Sequence, residues 1–256
     1  MTPWPRLDSP PNPRASSPDG SWWSCRSDDV DRPCDAVTDV SRETPSTPGL
    51  ARRAFSSDRL VLAERYVELL ATAGVERGLI GPREAPRLWE RHVLNCLAVS
   101  AAIGPEASVA DLGSGAGLPG VVLAIGRPDL AVTLVEPLLR RTTFLDEVVS
   151  DLGLDQVRVV RGRAEELHGR EVFDVVTARA LAPLNRLLGW AMPLVAAEGE
   201  LMAMKGSSAE REVAEATSTL RRLHCGTPVV QELTGRDGAS TATVVRVART
   251  DRTWLG

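Results

Sequence analysis

From Ser108 to Ala248 short apolar runs alternate with stretches of helical period, and this alternation limits the fold more than any other feature of the sequence. Runs at 108–112, 131–136, 157–161, 173–177, 199–204, 228–232 and 241–248 read as strands. Helical spacing fills the gaps at 118–126, 139–152, 184–197 and 208–223. Strands with little polar interruption, such as Val132-Thr133-Leu134-Val135, fit a sheet covered on both faces. Strand–helix alternation then predicts an α/β fold with a mostly parallel, doubly wound, seven-stranded sheet. The last two strands are separated only by a short loop of Gly, Arg and Asp, which predicts an antiparallel C-terminal hairpin.

Before that block the pattern is helical. Leu60, Ala63, Val67 and Leu70 share one face, and Gly74 stands where a C-terminal cap is expected. A second helix starts near Pro86, with Trp89, Val93, Cys96 and Leu97 on one face and Arg87, Arg91 and Asn95 on another. The expected organisation is an N-terminal helical cap over 51–104 and a core over 105–256. Residues 1–50 hold nine of the 18 prolines and no sustained apolar period, which predicts a disordered tail with Trp22-Trp23 inside it.

Composition excludes several classes. An apolar content of 43% supports a sizeable core, yet no run approaches the roughly 20 residues of a membrane helix. Proline and aspartate occupy the place where a signal peptide needs an apolar stretch, so a cytoplasmic protein without membrane association is expected. The four cysteines are scattered and form no Cys-x-x-Cys pair, against a zinc ribbon or a disulfide framework, and no metal site is expected. Net charge is −4; residues 1–50 carry five Arg against eight acids, and the remainder 25 basic against 26 acidic residues. A near-neutral domain neither supports nor excludes a nucleic-acid partner. Of the 30 basic residues only Lys205 is a lysine, a bias read as genomic base composition.

The chemistry-bearing motif is Asp111-Leu112-Gly113-Ser114-Gly115-Ala116-Gly117 at the mouth of the first strand. Gly115, Gly117 and Gly120 spell G-x-G-x-x-G, a weak dinucleotide fingerprint. Asp111, two residues before Gly113, tips the reading. A carboxylate there repels a pyrophosphate on the helix N-terminus and suits a cationic amino end, such as that of S-adenosylmethionine. Pro119 suits the first turn of the next helix. Glu136 ends the second strand, where a carboxylate accepts from ribose hydroxyls. Glu136 alone fits either cofactor, so a nicotinamide dehydrogenase stays open behind a methyltransferase.

With its flanks the sequence resembles a specific family. Arg91-His92-Val93-Leu94-Asn95, Asp111 through Leu118-Pro119-Gly120, Arg127-Pro128, Glu136-Pro137-Leu138-Leu139-Arg140-Arg141, Arg163-Ala164-Glu165-Glu166, Ala178-Arg179-Ala180 and Lys205-Gly206 occur in that order over roughly 58–250. It is similar to the bacterial glucose-inhibited-division-B group, guanine-N7 methyltransferases of small-subunit (16S) ribosomal RNA, with an actinobacterial flavour at Glu136. The resemblance implies a class I, Rossmann-like methyltransferase fold and S-adenosyl-L-methionine as cofactor. It implies cofactor contacts from Gly113 and Leu118, adenine flanked by Ala164 and Glu165, and Arg179 near the methionine end. The expected cofactor set is thus Asp111, Gly113, Ser114, Gly115, Gly117, Leu118, Glu136, Ala164, Glu165 and Arg179. The family usually has Ser before Arg-Ala, where this chain has Ala178 preceded by Thr177.

Guanine N7 carries an in-plane lone pair and no proton, so its methylation is an in-line displacement that needs no general base. No Ser/His/Asp set and no paired carboxylates stand out, in keeping with that chemistry. Arg91, His92, Arg140, Arg141, Arg163 and Lys205 are expected at an RNA-facing rim. Arg179 and Lys205, beside strand ends on the ligand side, are candidates for positioning substrate. The implied partner is 16S rRNA or the 30S subunit, and a monomer is expected. Two other readings stay open: a small-molecule methyltransferase of the same fold, and a non-catalytic RNA-binding assembly factor.

Overall fold

The computed structural model of the protein describes residues 44–250. The expected tail up to residue 43 and its Trp22-Trp23 pair lie outside the described residues. In chain order the helices are α1 (Gly49–Ala54), α2 (Ser57–Leu69), α3 (Asn95–Ala98), α4 (Gly120–Gly126), α5 (Leu139–Asp151), α6 (Leu184–Ala191), α7 (Ala209–Glu215) and α8 (Thr217–Arg222). The strands are β1 (Ser108–Leu112), β2 (Ala131–Glu136), β3 (Val157–Arg161), β4 (Phe173–Arg179), β5 (Val195–Met204), β6 (Val229–Thr234) and β7 (Thr241–Ala248). They form one sheet in the order β3-β2-β1-β4-β5-β7-β6. β1 to β5 run parallel, and β7 pairs antiparallel with both β5 and β6. This is the class I, Rossmann-like methyltransferase arrangement, with the hairpin at the end of the sheet.

The two-faced strands have a plain cause. Side chains alternate across a strand, so a sheet covered twice needs apolar residues at both parities. Val109, Val132, Leu134, Val175, Met202 and Val244 join one buried cluster, which also takes in α2, α4 and α5. Ala110, Leu112, Val135, Val176, Leu201 and Val245 join the other, closed by α6 and residues of α7 and α8. The expected cap at 51–104 belongs to the first cluster: Tyr66, Leu88, Trp89 and Val93 pack in it with Val121 and Val132. Side chains also tie it down. Tyr66 donates from its hydroxyl to the Ala116 carbonyl at 2.7 Å, and Asn95 Nδ2 donates to the Thr241 carbonyl at 2.5 Å. Arg127 donates to the carbonyls of Ser100, Ile103 and Gly104, which fixes the end of the cap against the loop after α4.

Several expectations need correction. The last residues of the expected tail are packed: Trp89 Nε1 donates to the Pro45 carbonyl at 3.3 Å, Thr47 donates to Glu64 at 2.7 Å, and α1 begins at Gly49. Gly74 is not a left-handed cap. The chain passes through it in a π-turn over Leu70–Gly74, and the left-handed residue is Gly78, at φ 66°. The helix expected over 184–197 ends at Ala191. Pro193 cannot donate an amide hydrogen, a 3₁₀ turn takes over at Met192–Leu194, and Val195 already pairs with Phe173. β5 therefore starts four residues earlier than expected, because Val-Ala-Ala at its start reads as a continued helix. The segment 208–223 is two short helices rather than one. No helix among the described residues is long and apolar enough to cross a membrane.

The Tyr66 contact yields a direct expectation. Tyr66 is fully buried, so Tyr66→Phe keeps the packing and leaves the Ala116 carbonyl without its donor. Urea unfolding should show a loss of about 1–3 kcal/mol, the range for stranding a buried polar group. An unchanged midpoint would mean that the glycine loop does not depend on this bond.

Candidate functional site

The glycine loop leaves β1 through a turn that requires left-handed backbone: Gly113 and Gly117 lie at φ 67° and 97°. Space is as restrictive as conformation. A Cβ on Gly117 would stand 2.9 Å from the Tyr66 hydroxyl oxygen, and one on Gly120 would stand 2.7 Å from Asp111 Oδ2. Bonds to β2 hold the loop: the amides of Gly113 and Ser114 donate to the Val135 carbonyl, and that of Gly115 donates to Glu136 Oε2 at 3.0 Å. Ser114 returns its hydroxyl to the Asp111 carbonyl at 2.8 Å. Asp111 is fully buried. Its Oδ2 accepts the Gly120 amide at 3.0 Å at the start of α4, while Oδ1 has no partner. The carboxylate thus occupies the helix end that a phosphate would use, and offers one orphaned acceptor suited to a cationic donor.

Burial pushes the Asp111 carboxyl up to about 7, opposed by the Gly120 amide, Ser114 and the charge of Arg179, and assisted by Glu136. Glu136 is only 1% exposed. Its Oε1 accepts the Leu138 amide at 3.1 Å, and its Oε2 accepts Gly115 and, at 3.3 Å, Arg141 Nη1.

Two cavities open on this side of the sheet. The smaller, about 180 Å³, runs over Gly113 between the ends of β1 and β2 and the turn at Gly162 to Glu165, with Trp190 at its back. Its lining is mostly apolar and includes Ala164, Glu165 and Arg163. The larger, about 620 Å³, lies between the cap and the ends of β4 and β5. It is lined by Glu84, Arg91, His92, Arg179, Lys205 and Glu212, among others. Leu181 lines both cavities.

The larger cavity carries a chain of polar contacts. His92 sits in the π-helical turn Leu88–Leu94, a distortion frequent at functional sites. Arg179 Nη2 meets His92 Nδ1, and Arg179 Nη1 reaches Cys96 Sγ at 3.4 Å. A guanidinium can only donate, so Nδ1 accepts and Nε2 carries the hydrogen donated to Glu84 Oε2 at 2.9 Å. Burial and the neighbouring Arg179 push His92 below the usual histidine range, against the pull of Glu84. The hydrogen bond from His92 holds Glu84 low against its desolvation, and burial with the Arg179 charge opposing it pushes Cys96 up to about 11. Lys205 Nζ donates to the Ala182 carbonyl and to Glu212 Oε2, both at 2.7 Å. Glu212 Oε2 also accepts the Leu184 amide at 2.9 Å.

The expected cofactor residues divide by role. Gly113, Ala164 and Glu165 line the smaller cavity, and Asp111 and Glu136 lie beneath the loop that borders it. Ser114 and Gly117 hold the loop's shape, and Leu118 packs into the core without lining either cavity. Arg179 lines the larger one. The expected RNA-facing rim is not continuous. Arg91 and His92 line the larger cavity, Arg163 the smaller; Arg141 pairs with Glu136; Arg140 is exposed on α5. Lys205 is a correction. Its side chain is 8% exposed and its ammonium is spent on Ala182 and Glu212, so it lies below the rim rather than on it. Sequence reasoning missed Leu181, Glu84, Glu212 and Trp190. None lies in a motif, although Leu181 directly follows Ala178-Arg179-Ala180.

A raised carboxyl such as that of Asp111 stabilises the fold at low pH and loses that contribution as pH climbs from about 4 through about 7. Between pH 5 and 8 the melting temperature of the unliganded protein should therefore fall relative to that of Asp111→Asn. A difference between the two that stays constant with pH would remove Asp111 as a titrating group.

A model of the family described as rRNA small subunit methyltransferase G matches residues 59–236. A relative from Nocardioides sp., named ribosomal RNA small subunit methyltransferase G, is 65% identical over 213 residues, covering 83% of this chain and 85% of its own. One of the same name from Thermobifida fusca is 57% identical over 203 residues, covering 79% and 86%. Among solved structures, a predicted O-methyltransferase of Agrobacterium tumefaciens superposes with a TM-score of 0.50 at 17% identity, over 63% of this chain and 82% of its own, a likeness of fold alone. The chain is a methyltransferase and belongs to the rRNA small subunit methyltransferase G family.

Proposed function

We propose that the protein transfers a methyl group from S-adenosyl-L-methionine to N7 of a guanine in 16S rRNA, presented as naked RNA or within the 30S subunit. The observation that carries the choice of acceptor is the state of the larger cavity. Every proton acceptor in its lining already has partners: both nitrogens of His92, Glu84 through His92 and Arg91, and Glu212 through Lys205, Ser208 and the Leu184 amide. Such a cavity suits an acceptor that has a lone pair and no proton to lose. Guanine N7 is one, and the relatives named for small-subunit rRNA methylation supply the RNA. When bound, the cofactor supplies an electrophilic methyl on a sulfonium.

The residues fit that cofactor. The orphaned Asp111 Oδ1 is a buried acceptor for a cationic amino group. Glu136 Oε1 keeps a lone pair beyond the Leu138 amide and sits where a ribose is read in doubly wound folds. The smaller cavity, with Ala164, Glu165 and Trp190, suits a flat base. Arg179, held by His92 and Cys96, retains donors for the methionine carboxylate. Catalysis then rests on holding the guanine in line across Leu181, with no proton transfer to assign.

Methylation mapping of rRNA from cells with and without the protein tests the reading. One guanine should lose its N7 methyl in the deletion strain, and an unchanged map would overturn the proposal. Arg179→Met should weaken binding of S-adenosylhomocysteine by about 10- to 100-fold in calorimetry, the effect of losing a charged hydrogen bond. Undiminished affinity would remove Arg179 from the cofactor site.

A further inference from the structure

Leu181 stands in the one place that this chemistry cannot leave blocked. Its side chain, in a residue 38% exposed, packs on Gly113 so closely that a Cβ there would run into it. It forms a wall of the smaller cavity and of the larger. A donor seated in the first and an acceptor in the second must meet past this side chain. The smaller cavity, about 180 Å³, also falls short of the roughly 300 Å³ at which pockets for drug-sized ligands begin.

We propose that Leu181 is a cofactor-operated gate, and that Lys205 and Glu212 are positioning residues that hold the far side of its loop. The inference rests on the reading of the smaller cavity as the adenosine site. In the closed state Leu181 covers Gly113; occupancy by the cofactor displaces it toward the larger cavity and joins the two. The hinge is Ala180, which holds a left-handed φ of 50°, a conformation that strains a residue with a Cβ. Two and four residues on, the loop is clamped: Lys205 donates to the Ala182 carbonyl, Glu212 accepts the Leu184 amide, and the two side chains, 8% and 15% exposed, pair with each other. Motion is thereby confined to Ala180 and Leu181. Because Leu181 is also a wall of the larger cavity, the acceptor site takes its final shape only after the cofactor is in place.

Calorimetry with S-adenosylhomocysteine on the full chain tests this, with hydrogen exchange over 179–186 as a second measurement. If the closed state dominates, Leu181→Ala should tighten binding by about three- to tenfold, since apparent affinity scales with the fraction of open molecules. In the wild type the ligand should change exchange at Leu181 and leave the Leu184 amide protected. Glu212→Ala should abolish that protection and change the affinity by less than about twofold, since the clamp makes no contact with the ligand in this scheme. Equal or weaker binding by Leu181→Ala would overturn the gate and leave the cofactor reading intact. A wild type that binds no S-adenosylhomocysteine would overturn both. Ligand-insensitive exchange at Leu181 would overturn the gate even if the alanine variant proved unstable.

Discussion

The buried carboxylate of Asp111 sits where sheet, glycine loop and α4 converge, and much of the site depends on what its two oxygens do. Oδ2 holds the first amide of α4, and this contact allows no side chain at Gly120. Oδ1 is left without a partner in a setting that strongly disfavours an uncompensated charge. The fold thus contains a position whose local energetics favour a bound cation. The same carboxylate fills the helix end on which a dinucleotide would rest its phosphates. In the proposed reading one side chain of the first strand thus favours a cationic cofactor over a dinucleotide.

The parts of this arrangement that the sequence displays are those governed by local rules. Continuous apolar strands required two covered faces, and the buried clusters alternate along β1, β2, β4, β5 and β7 as a period of two demands. Asp111, Glu136 and the glycines were legible because a tight turn beside a carboxylate is both a local pattern and a chemical statement. Where the sequence misled, non-local or competing terms decided. Pro193 ended a helix that apolar spacing extended, and the backbone passed helically through Gly74 to turn left-handed at Gly78. Glu84 and Glu212 could not be read at all. Each matters through a partner eight or seven positions away in sequence, His92 and Lys205, that only the fold brings into contact.

The larger cavity illustrates how polar groups serve without reacting. His92, Glu84 and Arg179 look like a proton-transfer set when taken as residue types, yet both nitrogens of His92 are engaged, Glu84 is partnered by His92 and Arg91, and Arg179 is left as a fixed cation. Networks of this kind hold a shape because each member fixes the orientation of the next. In the proposed reading their role is placement, which an acceptor with no proton to lose can use.

Lys205 gives the arginine bias of the chain a different meaning. Of the 30 basic residues in the sequence 29 are arginine, and the one lysine directs its charge at two acceptors. The Lys205 side chain is 8% exposed and its ammonium donates to the Ala182 carbonyl and the Glu212 carboxylate. A planar guanidinium fork projects its donors in one plane, whereas an ammonium turns separate donors toward a carbonyl and a carboxylate. The one lysine ammonium of the sequence thus ties the end of β5 to the turn before α6 and to α7.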